Sequence, residues 1–381
     1  MAAALTALVS LALAFTTPAQ ARAQGPARVQ GPAPARAQTA GPRPCTPSIT
    51  VLASLPGASA GAVTDLGRGR TAVGSSAGKP VYWRGTRVHA VPLPAGYTGG
   101  TVEAVNRHGL MVGTLSGPGR GPAPFSYRPG ARAVTLLPGG GYAKDVDDRG
   151  RIVGYRHEAD GRVTGVEWWG RTIRGELAVP AHVRVEEVTG INNAGQIVGS
   201  GYGEGEEYAG YHVALLWSAD RSAPARELPP VHPGDTYSSY APRDIDDRGR
   251  MAGTFSYSRA MESAGLHWAP PYTEEPLWLA PPGGRTSATL EDISPSSGVA
   301  VGTVGDSPIT GPWPPDTAPP EQAQYWPGAG SALVLPRLAP EGASAAYAVG
   351  DDDRVGGRAT DASGRVRPVI WTCASRQAYQ P

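Results

Sequence analysis

The chain is poor in cysteine, in charge and in sequence that could sustain a helix. Only two cysteines, Cys45 and Cys373, occur in 381 residues, and no C-x-x-C pair is present. The seven histidines (His89, His108, His157, His182, His212, His232 and His267) have no metal-ligand spacing and form no H-E-x-x-H motif. No metal and no cofactor are therefore expected. Charged residues make up 18% of the chain and the net charge is +1, whereas nucleic acid and other polyanions demand a strong basic excess. No N-x-S/T sequon exists, and after residue 21 no segment is apolar enough to span a bilayer. What is abundant is punctuation: 52 glycines and 39 prolines, nearly a quarter of the chain. Each Gly inside a helix costs about 1 kcal/mol and each Pro about 3, so long helices are excluded and many short strands and turns are expected. With 40% hydrophobic residues, a packed core remains within reach.

Residues 1–21 read as a cleaved secretory signal. Leu5, Leu8, Val9, Leu11, Leu13 and Phe15 lie in a small-residue run that ends at Ala19-Gln20-Ala21, an A-x-A cleavage pattern, although no Lys or Arg precedes the run. Residues 22–44 hold Ala, Pro, Gln, Gly and four arginines with almost no large apolar side chain. Such a stretch cannot bury enough surface to offset its ordering entropy and reads as a disordered linker.

From there the chain is organised by a repeat. Its best copies are Asp145-Val-Asp-Asp-Arg-Gly-Arg-Ile-Val-Gly154, Gly190-Ile-Asn-Asn-Ala-Gly-Gln-Ile-Val-Gly199 and Asp244-Ile-Asp-Asp-Arg-Gly-Arg-Met-Ala-Gly253, and seven copies end at glycines 74, 113, 154, 199, 253, 302 and 357. Successive gaps are 39, 41, 45, 54, 49 and 55 residues. Each copy reads as a strand, a tight Asx-x-x-Gly turn and a second strand, since an Asx side chain bonds its own backbone and Gly accepts positive φ. An aromatic follows each pair: Trp83, Tyr127, Trp168 or Trp169, Trp217, Trp268, Trp326 and Trp371. Their spacing assigns them to the core between units. A Leu/Pro strand comes next in six copies, such as Val134-Thr-Leu-Leu-Pro138 and Leu333-Val-Leu-Pro336. Four strands per unit at this period predict an all-β, seven-bladed β-propeller spanning residues 45–373, with a tail at 374–381.

The seventh copy lacks its fourth strand, and Ile49-Thr-Val-Leu-Ala-Ser-Leu-Pro56 ahead of the first has the missing pattern. The N-terminal strand is thus expected to complete the last blade and close the ring. Cys45 and Cys373 flank the two strands so joined, and in an oxidising compartment they would form a disulfide. The repeat with its trailing aromatic and Leu-Pro strand resembles the HAF repeat of probable extracellular bacterial proteins, over roughly residues 49–373. The resemblance implies a secreted context and carries no catalytic residues.

In an up-and-down blade the short A–B turns lie at one end, while the B–C and D–A loops, whose lengths vary here, lie at the other. Binding loops gather where length varies. Three insertions stand out there: Tyr202, Glu204, Glu206, Glu207, Tyr208 and Tyr211 in one; His232, Asp235, Tyr237 and Tyr240 in the second; Trp313 in the third. Tyr and Trp beside carboxylates suit sugar or peptide recognition. The expectation is a secreted, non-catalytic binding or scaffold protein for a glycan, a cell-envelope polymer or an extracellular protein. The alternative is a hydrolase or lyase with carboxylates in the central channel, which paired channel carboxylates of displaced pKa would favour. Gly74-Ser75-Ser76-Ala77-Gly78 matches a nucleophile elbow but runs into a strand rather than a helix. The Asp145 and Asp244 turns resemble calcium loops, yet both carry Arg where an oxygen ligand belongs.

Overall fold

The structure, a computed structural model, describes residues 45–203, 211–232, 235–310 and 319–381. It is all-β apart from short turns of helix such as Ala374–Gln377. The strands fall into four-stranded antiparallel meanders, which we call units 1 to 7: residues 61–90, 99–136, 142–176, 183–227, 238–279, 287–334 and 344–372. Units 5 and 6 share one eight-stranded sheet only through a single parallel bridge, Ser263 to Ser287. Unit 7 supplies three strands of its own, and its fourth is Ser48–Val51, paired antiparallel to Val366–Thr372. Cys45 and Cys373 are disulfide-bonded across that junction.

The repeat glycine has a steric cause. In all seven units the first strand carries a β-bulge, and the glycine of the second strand pairs with the residue just before it, as in Val63↔Gly74 and Ala143↔Gly154. The bulge swings a carbonyl into the space a side chain would need. A Cβ on Gly154 would stand 1.8 Å from the Tyr142 oxygen, and one on Gly199 would stand 2.2 Å from that of Glu187. Bulges re-aim the residue they add, and here that residue is Thr64, Glu103, Lys144, Thr189, Arg243, Glu291 or Tyr347.

The periodic tryptophans are core, and Trp168 rather than Trp169 holds the position: Trp168 is fully buried and Trp169 is 45% exposed. Four of the six indoles also bind the preceding unit, whereas Trp326 Nε1 donates to Gly330 O of its own unit and Trp268 Nε1 has no hydrogen-bond partner among the described residues. Trp168 Nε1 donates to Pro138 O at 3.0 Å, Trp217 to Ala178 O at 2.7 Å and Trp371 to Pro336 O at 2.9 Å. Trp83 of unit 1 donates to Ala53 O, just past the strand that completes unit 7, at 2.7 Å. The Leu/Pro segments hold the fourth strand in units 2, 5 and 6, at Thr135–Leu136, Leu277–Leu279 and Leu333–Val334, but the reading is corrected in units 1 and 3. The fourth strands are Arg87–Ala90 and Thr172–Glu176 in units 1 and 3, ahead of Val91-Pro-Leu-Pro94 and Leu177-Ala-Val-Pro180. Proline cannot donate to a ladder, so these segments leave the sheet, bury Val91 and Leu177, and can offer a free carbonyl to the next indole.

The C-terminal residues also dock. Tyr379 exchanges two backbone hydrogen bonds with Val334 of unit 6, and its hydroxyl accepts from Gln322 Nε2 at 3.0 Å.

Candidate functional site

Two regions gather polar and aromatic groups. The first is a cavity of about 750 Å³ lined by the inner strands of all seven units and by their A–B turns. The turns interlock around it. Asn106 Nδ2 donates to Asp147 O, Asp148 N to Asn193 Oδ1, Asn192 Nδ2 to Asp246 O and Asp247 N to Pro295 O; Arg354 Nη2 of unit 7 reaches Gly67 O of unit 1 at 2.9 Å. Within a turn, Asp147 Oδ1 accepts the amides of Arg149 and Arg151, and its Oδ2 pairs with Arg151 Nε at 2.6 Å. Asp246 does the same with Arg248 and Arg250. The arginine that spoils the calcium pattern, Arg149 or Arg248, gives the turn's carboxylate its backbone amide, and the ion pair is made two residues on by Arg151 or Arg250. Gly74–Gly78 is likewise a hairpin, with Ser76 Oγ accepting the Leu55 amide.

Immediately after the bulge stands an aspartate in four units, and each bridges to the next unit. Asp65 Oδ2 accepts from Val105 N at 2.6 Å, Asp145 from Ile191 N at 2.7 Å, Asp244 from Ile293 N at 3.5 Å and Asp292 from Val349 N at 2.6 Å. Burial pushes Asp65, Asp145 and Asp292 up to about 7 and Asp244 well above the usual carboxylate range, against the lowering effect of the amides. Four of the bulge side chains, Glu103, Lys144, Arg243 and Glu291, are charged, and Glu187 of unit 4 joins them. Lys144 Nζ meets Glu187 Oε1 at 3.1 Å, Arg243 Nη1 meets Glu187 Oε2 at 3.1 Å, and Arg243 Nε lies 3.9 Å from Glu291. Burial raises Glu103, with Lys144 opposing the shift.

The second region is the opposite end of units 4 and 5. Tyr202 closes the second strand of unit 4, is 37% exposed, and lies edge-on to His212 with centroids 5.3 Å apart. His212 Nδ1 is 3.1 Å from Glu186 Oε2, which raises its pKa. Tyr211 donates to Glu227 Oε2, whose other oxygen meets His182 Nε2 at 2.7 Å. In the second predicted insertion, Tyr237 is 41% exposed and its ring lies 3.7 Å from the Arg259 guanidinium carbon. Asp235 accepts from Tyr237 N and Ser238 Oγ, so its carboxylate is spent holding the turn. The His232 ring packs against Phe255 and Trp278. Tyr240 departs from expectation: it is 3% exposed, sits in the core and ties its hydroxyl to the His232 backbone, because its place on an inner strand turns it inward. Glu204, Glu206, Glu207, Tyr208 and Trp313 lie outside the described residues. The structure thus forms two separate clusters and adds His182, Glu186, His212, Glu227, Arg259 and Trp278, none of which carried a motif.

No protein-family model matches the chain, and no curated protein matches it. Among solved structures, it is similar to a subtype N11 neuraminidase-like protein of the strain A/flat-faced bat/Peru (H18N11) at 11% identity and TM-score 0.39, over 73% of this chain and 87% of that one. It is similar to TolB from Acinetobacter baumannii at 9% identity and TM-score 0.39, over 84% and 80%. The WD40 domain of SCAP from fission yeast aligns at 10% identity and TM-score 0.38, over 81% and 82%.

Proposed function

We propose that this chain is a secreted, closed seven-bladed β-propeller of the HAF-repeat kind, acting as a non-catalytic binding scaffold whose long-loop end takes a glycan or cell-envelope polymer. Closure is supported by the bonds that run from unit 7 to unit 1, from Trp83 to Ala53 and from Arg354 to Gly67, which repeat the links between neighbouring units. Secretion is supported by the disulfide and by the A-x-A-terminated leader; among the described residues no helix is long and apolar enough to cross a membrane.

The observation that carries the binding role is the pair of half-exposed, braced tyrosines, Tyr202 against His212 and Tyr237 against Arg259. A flat ring held by its neighbours offers apolar area at low entropic cost. Thermal-shift titration of the full chain with soluble glycans and envelope fragments tests it. At 100 times its dissociation constant a ligand adds about 2.7 kcal/mol, and Tyr202→Ala with Tyr237→Ala is expected to remove the shift. If no glycan or envelope fragment moves the transition, the glycan reading is lost.

The elevated aspartates favour a second reading, a hydrolase or lyase working in the cavity. Against it, Asp65, Asp145 and Asp292 each have both oxygens occupied by backbone amides. Glycan turnover by the wild-type chain that is lost in Asp145→Asn would restore that reading.

A further inference from the structure

Unit 6 departs from its neighbours in three places. Opposite the repeat glycine, the third strand of the other six units carries a fully buried apolar side chain: Val81, Phe125, Val166, Leu215, Leu266 and Val369. Unit 6 has Gln324 there, equally buried, and neither its Nε2 nor its Oε1 has a hydrogen-bond partner among the described residues. Directly opposed residues of an antiparallel pair share a face, so the amide lies in a row with Leu290, Gly302 and Val334, which offer it no polar side chain. Opening of the unit restores its bonds to water. The indole of unit 6 is the second departure, since Trp326 donates within its own unit and leaves unit 5 unheld.

The third is a covered outer edge. Val334 N donates to Tyr379 O at 2.9 Å and Tyr379 N to Val334 O at 3.0 Å, as in an added fifth strand. Gln322 Nε2, buried beneath, donates both to Leu335 O at 2.7 Å and to the Tyr379 hydroxyl at 3.0 Å. Pro381 reaches Gly283 in the connection from unit 5, where a Cβ would stand 2.7 Å from its ring. This arm is rooted elsewhere, at the seam that the disulfide closes. Ser375 bonds the Asp353 carboxylate through amide and hydroxyl, Arg376 Nη1 reaches Cys45 O at 3.1 Å, and Gln377 Nε2 reaches Thr372 O at 2.8 Å.

We propose that residues 378–381 are a latch on unit 6: seated, they hold it shut, and lifted, they leave it free to open while the other six units stay folded. Stability spread unevenly over a structure permits such local opening, and the root at the seam makes reseating intramolecular. The lifted arm bares both backbone groups of Val334, a template for another extended strand. The latch shares no residue with either polar cluster, so its test stands apart from theirs.

Hydrogen exchange of the full chain at neutral pH, read by mass spectrometry, tests this. Tyr379→Pro removes the N–H that meets Val334 O and the hydroxyl that meets Gln322. It is expected to speed exchange about tenfold in Ala300–Gly305 and Gln322–Trp326, whose own ladders the arm does not join. Unit 2, whose outer strand Thr135–Leu136 is also two residues long, should be unchanged. Gln324→Leu, which gives unit 6 the residue type of its neighbours, should slow the exchange again in the Tyr379→Pro background. No change in unit 6 on Tyr379→Pro, an equal rise in unit 2, or no slowing by Gln324→Leu overturns the proposal.

Discussion

At the A–B turn end the seven units present near-identical short turns, whereas at the other end the interval from repeat glycine to aromatic grows from 9 residues in unit 1 to 24 in unit 6. The turn end is short because its Asn and Asp side chains cap their own turn and bond the next. An insertion would break two units at once. At the loop end the aromatics are braced within a unit or by an adjacent loop, as Tyr237 is by Ser258 and Arg259, so length can vary without disturbing the rest. Regularity in this protein marks where units hold each other, and irregularity marks where they are free to hold something else.

The sharpest way to break that contrast is to crowd a bulge. Gly154→Ala places a methyl 1.8 Å from the Tyr142 carbonyl and is expected to cost about 3–4 kcal/mol in urea denaturation. The same change at exposed Gly161, where a Cβ meets nothing within 4 Å, costs less, the strain of its positive φ alone. Next is the closure. Reduction of Cys45–Cys373, which spans 328 residues, should lower stability by about 3 kcal/mol. A loss as small as that of a surface substitution would mean that unit 7 is held by its strands alone.

The aspartates distinguish the two ends by pH. Asp65, Asp145 and Asp292 have folded pKa values of about 7 against 3.8 for the ordinary side chain. The folded state thus binds more protons between these values, and their contribution to stability is full below about 3.8 and lost as pH rises through 7. Tm should fall by about 5 °C between pH 5 and 8, and Asp145→Asn should flatten part of that slope. A Tm that rises over this range would show the carboxylates to be ionised throughout. The smallest effect belongs to the loop end: Tyr237→Ala should change Tm by no more than a surface substitution, within about 0.5 kcal/mol, while altering ligand response.

Much of the architecture was legible because it rests on local periodicity. The Asx-x-x-Gly turns, the buried aromatic at each unit and the two-cysteine junction follow from spacing and turn chemistry, and strand Ser48–Val51 falls inside the segment expected to complete unit 7. The candidate sites were less legible. Glu103, Lys144, Glu187, Arg243 and Glu291 are scattered over nearly 190 residues and line one cavity because four bulges and the inner strand of unit 4 aim them inward; each alone looks like a surface charge. His182 and Glu227 are 45 residues apart and share no motif. Tyr240 was misjudged because its loop neighbours are exposed while its own strand turns it into the core.

By itself the sequence determined what depends on near neighbours: the turn at each Asx-x-x-Gly, the strand lengths that Gly and Pro permit, and the count of repeated units. Which carboxylate bridges to which amide, which tryptophan reaches which backbone carbonyl and which charges face one another were decided only by tertiary structure. Those contacts join residues from different units, and their strength comes from the burial that packing creates.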